Sequence, residues 1–184
     1  MKWREFKLYG KHAEYANFLC KEQGRERENG INIFQRVIDL YMLAPLIGLK
    51  YGRRVGIPEA KRPTTSIQVD QMYNEKENVE YVYRIVMLLA EKNKYSEKER
   101  IARAFRVVPN SYENDPNREE EVKLEEKELS YFQDYVRGGI EYIYEFFKEC
   151  EPHNDFQIQQ RLLMFAATES VDDIHTMENI YDDF

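Results

Sequence analysis

Cysteine, proline and glycine are all scarce in this chain of 184 residues, and each scarcity removes a class of protein. The two cysteines, Cys20 and Cys150, have no framework spacing, which argues against a disulfide scaffold and for reduced thiols. Eight glycines and six prolines are too few for the many tight turns of an all-β protein. No hydrophobic run is long enough to span a bilayer. The longest, Val37 to Leu49, is interrupted by Asp39 and contains Pro45. Met1 to Phe6 lacks the apolar core of a signal peptide, so the expectation is a cytoplasmic protein with no membrane segment. Positive charge is also in deficit. With 27 basic against 34 acidic residues the chain carries −7, which disfavours non-specific nucleic-acid binding by the surface as a whole.

Familiar catalytic signatures are absent too. There is no Gly-x-Gly-x-x-Gly, no Walker lysine loop, no nucleophile elbow and no readable Ser/His/Asp grouping. Three histidines, His12, His153 and His175, join the two cysteines without a zinc pattern beyond a local Cys150-x-x-His153. No metal and no cofactor is expected.

What the chain does contain is a well-marked apolar framework. Hydrophobic residues make up 42% and aromatics 14%, including 14 tyrosines, enough for one packed domain despite 33% charged residues. The stretch Ile31–Tyr51 reads as a central core helix: Asn29 and Gly30 start it, Gly52 stops it, and Lys50, Arg53 and Arg54 face the negative end of its dipole. Pro45 is expected to kink or split it. Residues 1–10 fit either a short strand or a first helical turn, and Lys11–Gln23 a modest amphipathic helix. Arg53 to Ser66, with Gly56, Pro58 and Pro63, reads as loop.

Beyond that loop, Val79, Val82, Tyr83, Val86, Met87, Leu89 and Ala90 recur at helical spacing within a helix of about 69 or 75 to 93. Ser96-Glu-Lys-Glu99 is a capping box opening the next helix, which Pro109 closes. Asn110 to Glu128 reads as an acidic loop entering a solvated helix start. A long helix from about Glu121 to Cys150 follows, with Leu129, Phe132, Tyr135, Val136, Ile140, Ile143, Phe146 and Phe147 on one stripe. Gly138 and Gly139 inside it each cost about 1 kcal/mol against Ala, so something must approach closely there, most simply the central helix. Asp155–Ala167 reads as a short helix. Glu169–Phe184 holds six acids and no Lys or Arg, with Ile174, Met177, Ile180, Tyr181 and Phe184 at helical spacing. The fold class expected is all-α: a single-domain bundle of five to seven helices over 1–168, and an acidic segment over 169–184 that is a terminal helix or a flexible tail.

Chemistry concentrates in a basic tip. Lys50, Arg53, Arg54, Lys61 and Arg62 crowd one short segment of an acidic chain, opposed only by Glu59, as a phosphate-facing or acid-facing contact requires. The alternative is that they neutralise the helix C-terminus and the protein's own acids. Asp39, Pro45, Gly138 and Gly139 are assigned to the structural core, with Asp39 read as buried against an arginine rather than as a metal ligand.

Two stretches carry a resemblance. Asp39-x-Tyr41 leading into Ala44-Pro-Leu-Ile-Gly48-Leu-Lys50-Tyr-Gly52-Arg53-Arg54, and later Tyr81-x-Tyr83-Arg-Ile-Val-Met-Leu-Leu89, Glu99-Arg-Ile-x-x-Ala104-Phe and Phe132-x-x-Tyr135-Val-x-Gly-Gly-Ile-Glu-x-Ile-Tyr144, resemble small accessory proteins of bacterial DNA-phosphorothioation (Dnd-type) defence cassettes. The resemblance implies a non-catalytic, DNA-associated accessory subunit in antiviral defence. Its partner would be a protein such as a defence ATPase or nuclease subunit, with DNA as a further possible contact. It supplies no catalytic residues. Two other readings stand beside it. One is a small metal-dependent nuclease with carboxylates converging near Lys50 or Arg53. The other is a homo-oligomer whose self-contact is the two glycines and the tyrosine-rich helix.

Overall fold

The computed structural model describes residues 4–106 and 118–181, with the backbone alone at 118 and 169–181. Strand β1 (Phe6–Tyr9) leads into α1 (Lys11–Leu19), and α2 (Val37–Lys50) follows a long connector. Strand β2 (Thr64–Ile67) then precedes α3 (Val69–Asn74), α4 (Lys76–Leu89), α5 (Glu97–Ala104), α6 (Arg118–Phe147) and α7 (Asp155–Tyr181).

The chain is therefore mostly helical but not strictly all-α. β1 and β2 pair antiparallel, with Phe6 opposite Ile67 and Tyr9 opposite Thr64. Alternation decides the strand: Phe6 and Leu8 point into the core while Lys7 stays out, and Ile67 is fully buried on the partner strand. The threonine pair in what read as loop is β-branched, and takes up that pairing. Trp3 lies outside the described residues.

The central helix begins at Val37, six residues later than the apolar run predicts. Asn32 occupies the left-handed region (φ 53°), and its side chain accepts from the Arg27 amide and donates to the Arg27 and Gly30 carbonyls. That turn holds Ile31–Phe34 extended against the end of α1, where the Phe34 amide bonds the Leu19 carbonyl. Asp39 caps the helix start, its carboxylate accepting from the Arg36 amide at 3.0 Å and from the Arg36 guanidinium at 2.6 Å. Asp39 is thus half-exposed at the helix start, paired with Arg36 but not buried, which corrects its assignment to the core. Pro45 sits inside a helix that runs on to Lys50, so it does not split the element. The stop is as expected: Gly52 is left-handed (φ 62°), its amide bonds the Leu49 carbonyl and the Arg53 amide bonds the Gly48 carbonyl, a Schellman motif.

α2 packs chiefly against α6 and secondarily against α4. The core holds Ile38, Leu40, Tyr41 and Ala44 of α2, Val79, Val86 and Met87 of α4, and Phe132, Val136, Ile140, Ile143 and Phe147 of α6. The glycine prediction is met in detail. A Cβ on Gly139 would stand 1.7 Å from the Ala44 carbonyl oxygen, one on Gly138 2.2 Å from that of Arg53, and one on Gly48 2.3 Å from that of Tyr135. Gly48 and Gly139 let the backbones of α2 and α6 touch, Gly138 admits the turn at Arg53, and all three meet this chain's own backbone. The surface proposed for self-contact is occupied from within.

Of the two starts expected for the next helix, Glu75 is the N-cap of α4, while Val69 opens the separate short α3; Ala90 leaves the helical region, before the expected end at 93. Ser96 caps α5 as the sequence indicates, its hydroxyl accepting from the Glu99 amide at 3.3 Å. Pro109 and residues 110–117 of the acidic loop lie outside the described residues, and the rest of that stretch is already helix, since α6 begins at Arg118. α7 continues unbroken past 168, so the acidic segment joins it as helix as far as Tyr181. The side chains proposed to form its amphipathic face, Ile174 to Phe184, lie outside the described ones. Among the described residues no helix is long and apolar enough to cross a membrane.

Candidate functional site: an arginine and tyrosine cleft

The Schellman turn throws the chain back across α6, and hydrogen bonds fasten it there. The Val55 amide donates to the Asp134 carbonyl at 3.0 Å, and the buried Arg137 donates to the Val55 carbonyl at 2.8 Å while also pairing with Asp134. The basic tip is thereby divided. Arg53 turns to Glu145 (2.8 Å) and the Tyr142 ring, which itself stacks on Tyr51 at 4.1 Å between centroids. Arg54 turns the other way, to Glu91 (3.1 Å) and Asp134 (3.6 Å). Lys61 belongs to the sheet side: its Nζ donates to the Pro58 carbonyl and lies over the Tyr9 ring. Lys50 is exposed over Tyr51, and Arg62 is exposed beside Lys61. Five residues adjacent in sequence reach three different surroundings.

Arg54 is the one that enters a cleft. The cavity, about 620 Å³, lies between α5 and α6 and is lined by Arg54, Tyr95, Ala102, Arg103, Arg106, Leu124, Lys127, Tyr131 and the acids Glu99, Glu128 and Asp134, with Ser130 at its edge. Helical periodicity delivers these groups. Glu99, Ala102, Arg103 and Arg106 recur at three and four on and just beyond α5, and Leu124, Lys127, Glu128, Tyr131 and Asp134 do so on the facing side of α6.

At its centre guanidiniums and tyrosine rings alternate. Arg103 lies over Tyr95 at 4.1 Å and over Tyr131 at 4.8 Å, and Arg54 covers Tyr131 at 4.0 Å and Tyr135 at 5.6 Å. Arginine suits this ladder because its planar, weakly hydrated cation stacks on a ring while its edge remains a donor. Burial, aided by the Tyr135 hydroxyl at 3.3 Å, raises the Tyr131 hydroxyl well above the usual tyrosine range, so it stays a neutral donor.

Two carboxylates anchor the cations from below. Glu128, 4% exposed, takes Arg106 through both oxygens (2.9 and 3.3 Å) and stands 4.0 Å from Arg103 Nε. Asp134 is shared between Arg54 and Arg137. Arg103 is 9% exposed, and its Nη1 is buried without a hydrogen-bond partner. A buried guanidinium donor left unpaired costs on the order of 1–3 kcal/mol.

Arg54 is the sole member of the predicted tip to line this cleft. Tyr95, Arg103, Arg106, Lys127 and Tyr131 escape the sequence reading, because each looks like ordinary helix surface until two helices face each other. The spacing of polar and aromatic residues on α6, opposite its apolar stripe, was the available signal. Among the described residues no group of three or more His, Cys, Asp or Glu side chains could hold a metal ion. The carboxylates nearest Arg53 and Arg54 are each engaged by an arginine. The two cysteines are buried and unlinked. Comparison with protein-family models, curated proteins and solved structures finds nothing that matches this chain.

Proposed function

We propose that this protein is a non-enzymatic accessory or adaptor subunit that grips an anionic group on a partner through the arginine–tyrosine cleft and the adjoining basic tip. The supporting observation is convergence. Arg54 from the turn after α2, Arg103 and Arg106 from α5 and the residues beyond it, and Lys127 from α6 line one cleft of a protein whose net charge is −7. Aromatic and arginine anchors of this kind carry most of the energy in small interfaces. The partner class remains the one implied by the resemblance to Dnd-type accessory proteins: a defence ATPase or nuclease subunit, with DNA as a possible second contact and the cytoplasm as the site of action.

The test is affinity capture by the full chain from its host, comparing wild type with Lys127→Glu and with the Lys61→Glu/Arg62→Glu pair. All three positions are exposed, so the fold survives the changes. Loss of a captured partner in Lys127→Glu identifies the cleft as the contact, and loss in the pair identifies the sheet side of the tip. Capture indifferent to both, or no partner at all, overturns the proposal.

A further inference from the structure

We infer that the cleft between α5 and α6 binds a phosphomonoester carried on a nucleoside-sized body. The inference rests on the proposal that this cleft is the protein's anion-binding contact, and names the chemistry it accepts. Volume is the first argument. About 620 Å³ lies within the range of small-ligand sites, and far exceeds what one carboxylate side chain would fill. The walls are the second. Ala102 and Leu124, which is 39% exposed, give an apolar lining for a planar ring beside the arginine-covered rings of Tyr95 and Tyr131.

The donors are the third argument. Glu128 occupies Arg106 and the Nε edge of Arg103, and so fixes both guanidiniums from one side. Arg103 itself lines the cavity, and its Nη1 is buried without a hydrogen-bond partner. Lys127 supplies a mobile ammonium from the next position of α6. Four cations (Arg54, Arg103, Arg106, Lys127) line the cleft with three acids (Glu99, Glu128, Asp134); Glu99 is turned toward the Ser96 cap, and Arg54 is also held by Glu91, so Arg103, Arg106 and Lys127 are the cations left for a ligand. A phosphomonoester brings roughly two negative charges and three acceptor oxygens, matching a fork of arginines plus a lysine better than a single carboxylate does. The phosphate would lie among Arg103, Arg106 and Lys127, and the base along Ala102 and Leu124.

The same chemistry can come from a free nucleotide or from the 5′-phosphate of a nucleic-acid strand, and titration calorimetry separates the two. The full-length protein is titrated with adenosine monophosphate, adenosine, and a short single-stranded oligonucleotide with and without its 5′-phosphate. Saturable binding of the monophosphate with none of adenosine is the expected result, and assigns the free nucleotide. Binding of the 5′-phosphorylated strand tighter than the monophosphate, lost on dephosphorylation, supports the proposal and assigns a strand end. Lys127→Glu, and Arg103→Lys verified as folded by its melting curve, should each weaken binding about tenfold or more.

Equal affinity for the two oligonucleotides would mean general backbone binding and overturn the assignment. So would unchanged affinity in both variants, or no saturation below about 1 mM of either phosphorylated probe. If these titrations fail while partner capture still depends on Lys127, the cleft grips an acidic protein side chain, and only the phosphate assignment falls. If both fail, the cleft is not a binding site.

Discussion

Replacing Gly139 by alanine tests the packing on which the site depends. Glycine to alanine in a helix ordinarily gains about 1 kcal/mol from propensity. Here the new methyl would lie 1.7 Å from the Ala44 carbonyl oxygen and 2.5 Å from its carbon, both backbone atoms that no rotamer change can remove. α2 and α6 would have to part by about 1.5 Å to restore a normal contact, and even a 0.5–1 Å gap forfeits roughly a quarter to a half of each dispersion contact along the seam. Overpacking of this kind costs about 3 kcal/mol or more. Subtracting the propensity gain leaves a net loss of about 2–4 kcal/mol, a fall in Tm of roughly 5–15 °C for a chain this size. Urea and thermal denaturation followed by circular dichroism measure it. Gly56→Ala is the control, since nothing lies within 4 Å of its would-be Cβ and its φ is unexceptional, so its stability should stay within about 0.5 kcal/mol. A Gly139→Ala protein as stable as wild type would refute the close helix crossing.

Three further outcomes follow from named contacts. Arg137→Ala should destabilise by about 1–3 kcal/mol in urea titration, because Arg137 is 3% exposed and its loss strands the Val55 carbonyl and leaves Asp134 with Arg54 alone. Burial pushes the Cys20 thiol up to about 12 and the Cys150 thiol above its ordinary value, so neither should react with a thiol reagent near neutral pH until urea unfolds the chain. His12 is fully buried, and desolvation lowers its pKa from 6.5 despite the Glu141 carboxylate 2.9 Å away. The unfolded chain therefore takes up that proton first, and stability present above pH 6.5 is lost as the pH falls below it. Urea midpoints measured from about pH 7 to 5 should decline less steeply in His12→Gln, and equal slopes would show that the imidazole is not held neutral.

The local elements were largely legible in the sequence because their causes are local. The period of Val79 to Met87, the Ser96–Glu99 box and the Gly52 stop all appear as elements of the kinds their patterns dictate. The apolar stripe of α6 is buried at Phe132, Val136, Ile140, Ile143 and Phe147, and its two glycines mark the crossing with α2. Misreadings arose where a single side chain outweighed the pattern. The left-handed turn at Asn32 keeps the connector out of the helix and delays α2, and the Thr64–Thr65 pair found a strand partner more than fifty positions away in β1. The site itself was decided only by tertiary structure. Sequence adjacency joined five cations into one tip, but the backward turn at Gly52 sends Arg53 and Arg54 to opposite neighbours and leaves Lys61 on the sheet. Arg103 and Tyr131 meet only because α5, packed on α4, stands beside the flank of α6 next to its apolar stripe. Sequence determines which side chains share a helix face; which two faces then close on a cavity depends on how the cores beneath them pack.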